Sequence, residues 1–156
     1  ITCRDWSSDV CSSDLAIQTL TETTDGPVRF GVVRKGGERL LFTLKSSECM
    51  AKRAPEFSES WRGLDVAVLH VLLLEDIFGI DAGKLERKEN VSYYKSTADA
   101  FAAIENDSRY QWGFFCRPTR IDQLKAVSDA GEVMPQKSTF FYPKLMAGLV
   151  LRPLDA

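Results

Sequence analysis

The sequence predicts an α+β domain: a mixed β-sheet that begins with a β-hairpin, with helices packed mainly on one face. Three observations carry this expectation. Two short apolar-rich runs, 28–33 and 39–44, flank a Lys35-Gly36-Gly37 turn, which is the pattern of a hairpin. Residues 64–78 are apolar except for Asp65, His70, Glu75 and Asp76, too long for a strand and too short for a membrane span. Behind them, strand-like runs alternate with helices announced by capping residues.

The elements follow in chain order. Residues 16–27 are polar and Thr-rich, an irregular lead-in or a weak edge strand. In the hairpin, Val28, Phe30 and Val32 share one face of the first strand. Residues 47–53 allow one or two helical turns before Pro55. The run 64–78 reads as a largely buried helix, with Asp65 at the positive end of its dipole and Gly79 as its C-terminal stop. Val91 to Lys95 reads as a short strand. Ser96-Thr-Ala-Asp99 is a capping box, opening a helix that carries Ala98, Phe101, Ala102 and Ile104 to the core. Tyr110 to Cys116 is apolar on both faces, which predicts a central strand ended by Pro118. Thr119-Arg-Ile-Asp122 is a second box, before a helix with Ile121, Leu124, Lys125 and Ser128 at helical spacing and a stop at Gly131. Leu149 to Leu151 closes the series as a strand.

The first fifteen residues stand apart. Ser-Ser-Asp recurs at 7–9 and 12–14, and Asp5 to Leu15 resembles, codon for codon, one reading frame of a short-read sequencing adaptor. Residues 1–15 are therefore expected to be a disordered, adaptor-derived scar, and 16–156 the domain. Trp6, inside the scar, has no periodic partners. The whole chain has 156 residues, 44% apolar and 27% charged, with formal net charge −2. Setting aside Arg4, Asp5, Asp9 and Asp14 leaves basic and acidic residues equal in number. That balance argues against nucleic acid or an anionic membrane surface as partner. Cys3 and Cys11 also fall in the scar. Cys49 and Cys116 remain, without zinc or disulfide spacing, and point to a reduced, cytoplasmic chain.

Catalytic signatures are sparse. His70 is the sole histidine, its helical neighbours Val66, Ala67, Leu73 and Leu74 being apolar, so no metal site is expected. No Gly-x-Ser-x-Gly elbow pairs with it. Gly131 to Ser138 matches the phosphate-binding loop pattern except at Gln136, where the second glycine belongs. Pro135 supplies no N–H there, and the preceding element is a helix rather than a strand. The segment 134–144 is still the most unusual in the chain, with two lysines, two hydroxyls and three aromatics between prolines. As a binding loop it brings Lys137, Ser138 and Thr139 together on a concave surface. As a plug it buries Phe140, Phe141 and Tyr142 and leaves the lysine ends in solvent.

Glu132 to Leu145, with Gly148-Leu-Val-Leu151, resembles the C-terminal signature of the prokaryotic family catalogued as domain of unknown function 1015. Asp65-Val-Ala-Val-Leu-His70 and the approach Ala130 to Pro135 are similar to it as well. The resemblance covers residues 28–154 and is most specific at the C-terminal end. It implies a soluble cytoplasmic protein of which this chain is the C-terminal portion. The family's longer chain carries upstream an Asp-Gly-His-His-Arg-Tyr type motif, like that of the ParB and sulfiredoxin nucleotide-binding fold, which is absent here. The resemblance also implies Lys137, Ser138, Thr139 and Lys144 as the positions facing a shared site, with no catalytic residue or cofactor assigned. The first functional expectation is a non-catalytic module packing on an N-terminal domain of the same polypeptide. The second is part of a phosphotransferase-like enzyme binding a nucleotide or phosphorylated metabolite, with the 134–144 loop on the phosphate. The third is a ParB-like DNA-associated regulator, which the neutral charge count opposes.

Overall fold

The computed structural model describes residues 6–10, 14–23 and 26–139. The expected strand 149–151, the aromatics Phe140, Phe141 and Tyr142, and Lys144 lie outside the described residues. The fold is α+β, built on the expected hairpin. Strand β2 (Arg29–Arg34) and strand β3 (Arg39–Leu44) pair antiparallel, with Phe30 opposite Phe42 and Val32 opposite Leu40. The turn between them uses Gly36 and Gly37 at φ +101° and +97°, a region that suits residues without a Cβ.

Two further strands complete the sheet. Strand β1 (Trp6–Val10) pairs with β3, and β4 (Trp112–Cys116) pairs with β2, in the spatial order β1-β3-β2-β4. Every described pairing is antiparallel, so the parallel component of the expected mixed sheet is not among them. Among the described strands, β4 stands at an edge rather than at the centre. Its apolar residues on both sides are met by helices on both faces of the sheet there. Phe114 and Cys116 meet one core and Phe115 the other.

The larger core lies on the face of Phe30 and Val32. It is closed by α2 (Glu48–Arg53), α3 (Glu59–Arg62), α4 (Asp65–Val68), a π-helical continuation over Leu69–Glu75, α5 (Ala82–Glu86) and α7 (Ile121–Asp129). The predicted helix 64–78 is thus α4 plus the π-helical segment and a turn, and Gly79 ends it at φ +64°. Wider i→i+5 bonds, such as Asp76 N–H to the Val71 carbonyl, mark its C-terminal part. The opposite face carries α1 (Asp14–Glu22) and α6 (Thr97–Asn106) over Val33 and Phe115.

Four local expectations change. Residues 16–22 belong to a helix that begins at Asp14, where a lead-in or weak strand was expected, and Ile17 and Leu20 at i, i+3 are both buried. Residues 6–10, expected to be disordered, form the edge strand β1, with the Trp6 ring against Phe30 (5.7 Å) and Phe42 (6.2 Å). Residues 91–94 are not a strand. They have no ladder partner, and Tyr94 and Ser92 instead contact Tyr110. The second capping box moves one residue on. Arg120 is the N-cap, its N–H bonded to the Gln123 side chain at 3.0 Å, while the Thr119 hydroxyl turns away to the Ser138 carbonyl at 2.7 Å. The first box holds at its N-cap, where Ser96 Oγ accepts from the Asp99 N–H. Among the described residues no helix is long and apolar enough to cross a membrane.

Candidate functional site

The 134–139 stretch is anchored at both ends. Glu132 spans from α7 to the start of α3, accepting from the Ser58 N–H and the Ser58 hydroxyl, both at 2.5 Å. Ser58 is the N-cap of α3, so a carboxylate there also answers the positive end of that helix. One residue on, the Val133 carbonyl accepts from the Trp61 indole at 3.1 Å. The Glu-Val of the signature therefore fastens the chain to α3. Beyond it Lys137 sits exposed in left-handed backbone at φ +63°. Ser138 closes a turn by donating from both its N–H and its hydroxyl to the Pro135 carbonyl, and its own carbonyl accepts from Thr119. Thr139 is exposed. Neither of two clefts among the described residues is lined by Lys137, Ser138 or Thr139.

The strongest electrostatic feature lies elsewhere. Arg117, just after β4, grips Asp65, the first residue of α4, with two bonds of 2.6 and 2.8 Å. Their side chains are 8% and 10% exposed, so the pair is largely removed from water. A further bond of 3.3 Å runs from Arg117 to the Gly26 carbonyl. The sequence placed Asp65 at a helix dipole, and the guanidinium adds two charge-assisted hydrogen bonds. The signal that could have revealed it is a lone acid opening an apolar run, matched by a lone base closing an apolar strand.

That pair sets the chemistry of its neighbour. The Cys116 thiol is pushed up to about 12, by burial first and by the adjacent Asp65 carboxylate second, with Arg117 opposing. It stays protonated at neutral pH and is a poor nucleophile. His70 is lowered by burial in its apolar helix and is neutral at pH 7. Among the described residues no group of three His, Cys, Asp or Glu is placed to hold a metal ion.

Two clefts of similar size open on the thinner face. One, of about 420 Å³, lies between α1 and the β2–β3 hairpin, and both Arg29 and Arg117 reach its wall. The other, of about 410 Å³, lies at the hairpin turn beside α6, with Arg34, Lys35 and Arg39 around it. Its arginines already face carboxylates. Arg39 bonds Asp14 and approaches Glu105 at 3.9 Å, and Arg34 lies 3.6 Å from Glu38.

A band of exposed apolar side chains borders β4. Ile77 is 55% exposed, and Phe78, Tyr93, Tyr94 and Trp112 are also exposed. Phe78 meets Trp112 edge-on at 6.0 Å and Phe114 at 5.6 Å, and Tyr94 meets Tyr110 at 6.0 Å. Tyr110, Trp112 and Phe114 recur at two-residue spacing and so join the two groups along one side of the chain. Compared with protein-family models, with curated proteins and with solved structures, the chain matches none.

Proposed function

We propose that this chain acts as a non-catalytic C-terminal module that packs on an N-terminal domain of a longer polypeptide. The observation that carries this reading is the apolar band along β4. Exposed aromatics grouped beside a strand, as Phe78 with Trp112 and Tyr94 with Tyr110, suit an interaction surface. Among the described strands, β4 is also an edge. The bond from the Lys35 N–H to the Gln111 carbonyl fixes the ladder phase, so the N–H and C=O groups of Trp112 and Phe114 point away from β2. A surface offering both aromatics and free strand polarity suits a protein partner. The protonated Cys116 and neutral His70 further support a structural rather than a chemical role. A reducing, cytoplasmic setting is part of the proposal, supported by the spacing of Cys49 and Cys116, which fits neither a zinc site nor a disulfide framework. So is the resemblance to domain of unknown function 1015.

Hydrogen exchange tests it. In a longer polypeptide containing this chain, amides at 77–78, 91–94 and 110–114 are expected to gain protection relative to the 156-residue chain alone. Equal exchange in the two would overturn the proposal. So would turnover of a nucleotide or phosphoester by the 156-residue chain itself.

A further inference from the structure

We propose that the cleft between α1 and the β2–β3 hairpin binds a small organic acid, a carboxylate head on an apolar body, with Arg29 as the carboxylate's partner. The cleft measures about 420 Å³, within the roughly 300–1,000 Å³ of small-molecule pockets. Its walls are mostly apolar, from Ala16 and Leu20 on α1, Leu41 on β3 and Pro27. Within this apolar lining stand two guanidiniums. Arg117 is held by Asp65 and the Gly26 carbonyl. Arg29 is half-buried, and its Nε donates to the Thr43 hydroxyl at 3.0 Å. Among the described residues no carboxylate forms an ion pair with Arg29.

A cation half out of water without a counter-charge is costly, and an arriving carboxylate relieves that cost. The guanidinium fork matches a carboxylate in shape, and the Nε–Thr43 bond fixes its plane. The apolar walls then favour a ligand whose remainder is hydrocarbon. The hairpin-turn cleft lacks this combination, since Arg34 and Arg39 already have acids beside them.

The test is a titration of the 156-residue chain with sodium hexanoate, hexan-1-ol and inorganic phosphate, read by amide chemical shifts. Hexanoate is expected to saturate, with shifts centred on Thr19, Leu20 and Arg29. Hexanol is expected to bind at least about tenfold more weakly, and phosphate not to saturate. Arg29→Gln is expected to weaken hexanoate about tenfold at unchanged melting temperature. Thr19→Trp, at an exposed position of α1 on the cleft wall, fills the cavity and abolishes binding without touching Arg29. Thr19→Trp keeps the proposal testable if Arg29→Gln does not fold. Hexanol or phosphate binding as tightly as hexanoate would overturn it. So would hexanoate affinity unchanged in either folded variant, or no saturation by about 10 mM.

Discussion

Among the described residues, fifteen buried apolar side chains interlock in the core on the Phe30 face of the sheet, and five in the core on the Val33 face. The two sides are held by different means. The thicker side relies on volume. Leu64, Leu72 and Leu73 are essentially inaccessible, and each such side chain contributes roughly 1.5–3 kcal/mol by leaving water. The thinner side relies on close approach. A Cβ at Gly31 would stand 2.9 Å from Ile17, and one at Gly113 would stand 2.2 Å from the tip of Ile104. Glycine at these two positions lets α1 and α6 settle directly on the strands. Arg39 then ties both helices, through Asp14 and Glu105. A thin layer held at a few points leaves room for clefts beside it, and the two clefts at α1 and at the hairpin turn are on this side. The lesson is a division of labour, in which the thick core fixes the sheet and the thin layer provides concave surface.

The largest expected effect falls on the link between the sides. Asp65→Ala breaks the largely buried Arg117–Asp65 pair and is expected to cost about 3–5 kcal/mol in denaturant unfolding. Next come paired truncations. Leu72→Ala, in the thick core, is expected to cost about 3–5 kcal/mol, while Leu20→Ala costs nearer 2 because its site opens onto a cleft. Equal costs would erase the distinction between the faces. Gly113→Val overpacks the thin side against Ile104 and is expected to cost about 1–3 kcal/mol.

Acid acts on the thick side through His70. Its folded pKa lies below the unfolded value of about 6.5 because burial disfavours the imidazolium. Below about pH 6.5 the unfolded chain therefore binds the proton first, and stability falls with pH by at most about 1.4 kcal/mol per unit. His70→Gln removes that component of the slope, measurable from melts between pH 5 and pH 7. The smallest effect is at Trp6, whose buried indole N–H has no hydrogen-bond partner among the described residues. Trp6→Phe removes the orphaned donor and is expected to leave stability within about 1 kcal/mol, on the stabilising side. A larger loss would mean that β1 is integral to the domain.

The thick side was the more legible of the two. Its helix 64–78, its hairpin and its glycine stops at Gly79 and Gly131 all follow from periodicity and turn chemistry. The thin side was less so. The Thr-rich run 16–27 hides only two inward residues on α1, Ile17 and Leu20, and β-branched threonines obscure its helical period. Strand β4 looked central because a sheet covered on both faces gives an edge strand the same composition as an inner one. Charged contacts were the least visible. Glu132 to Ser58 and Arg117 to Asp65 join residues far apart in the chain, and no local pattern encodes such partners. Arg29 likewise gains its interest only from what the fold places around it.

Native-state hydrogen exchange tests the two-sided account most directly. Amides of β2 and of the Leu69–Glu75 segment are expected to exchange only through global unfolding. Amides of α1 and α6 are expected to exchange through a smaller, sub-global opening that leaves the thick core intact. Opening free energies for α1 and α6 equal to the global value would contradict it.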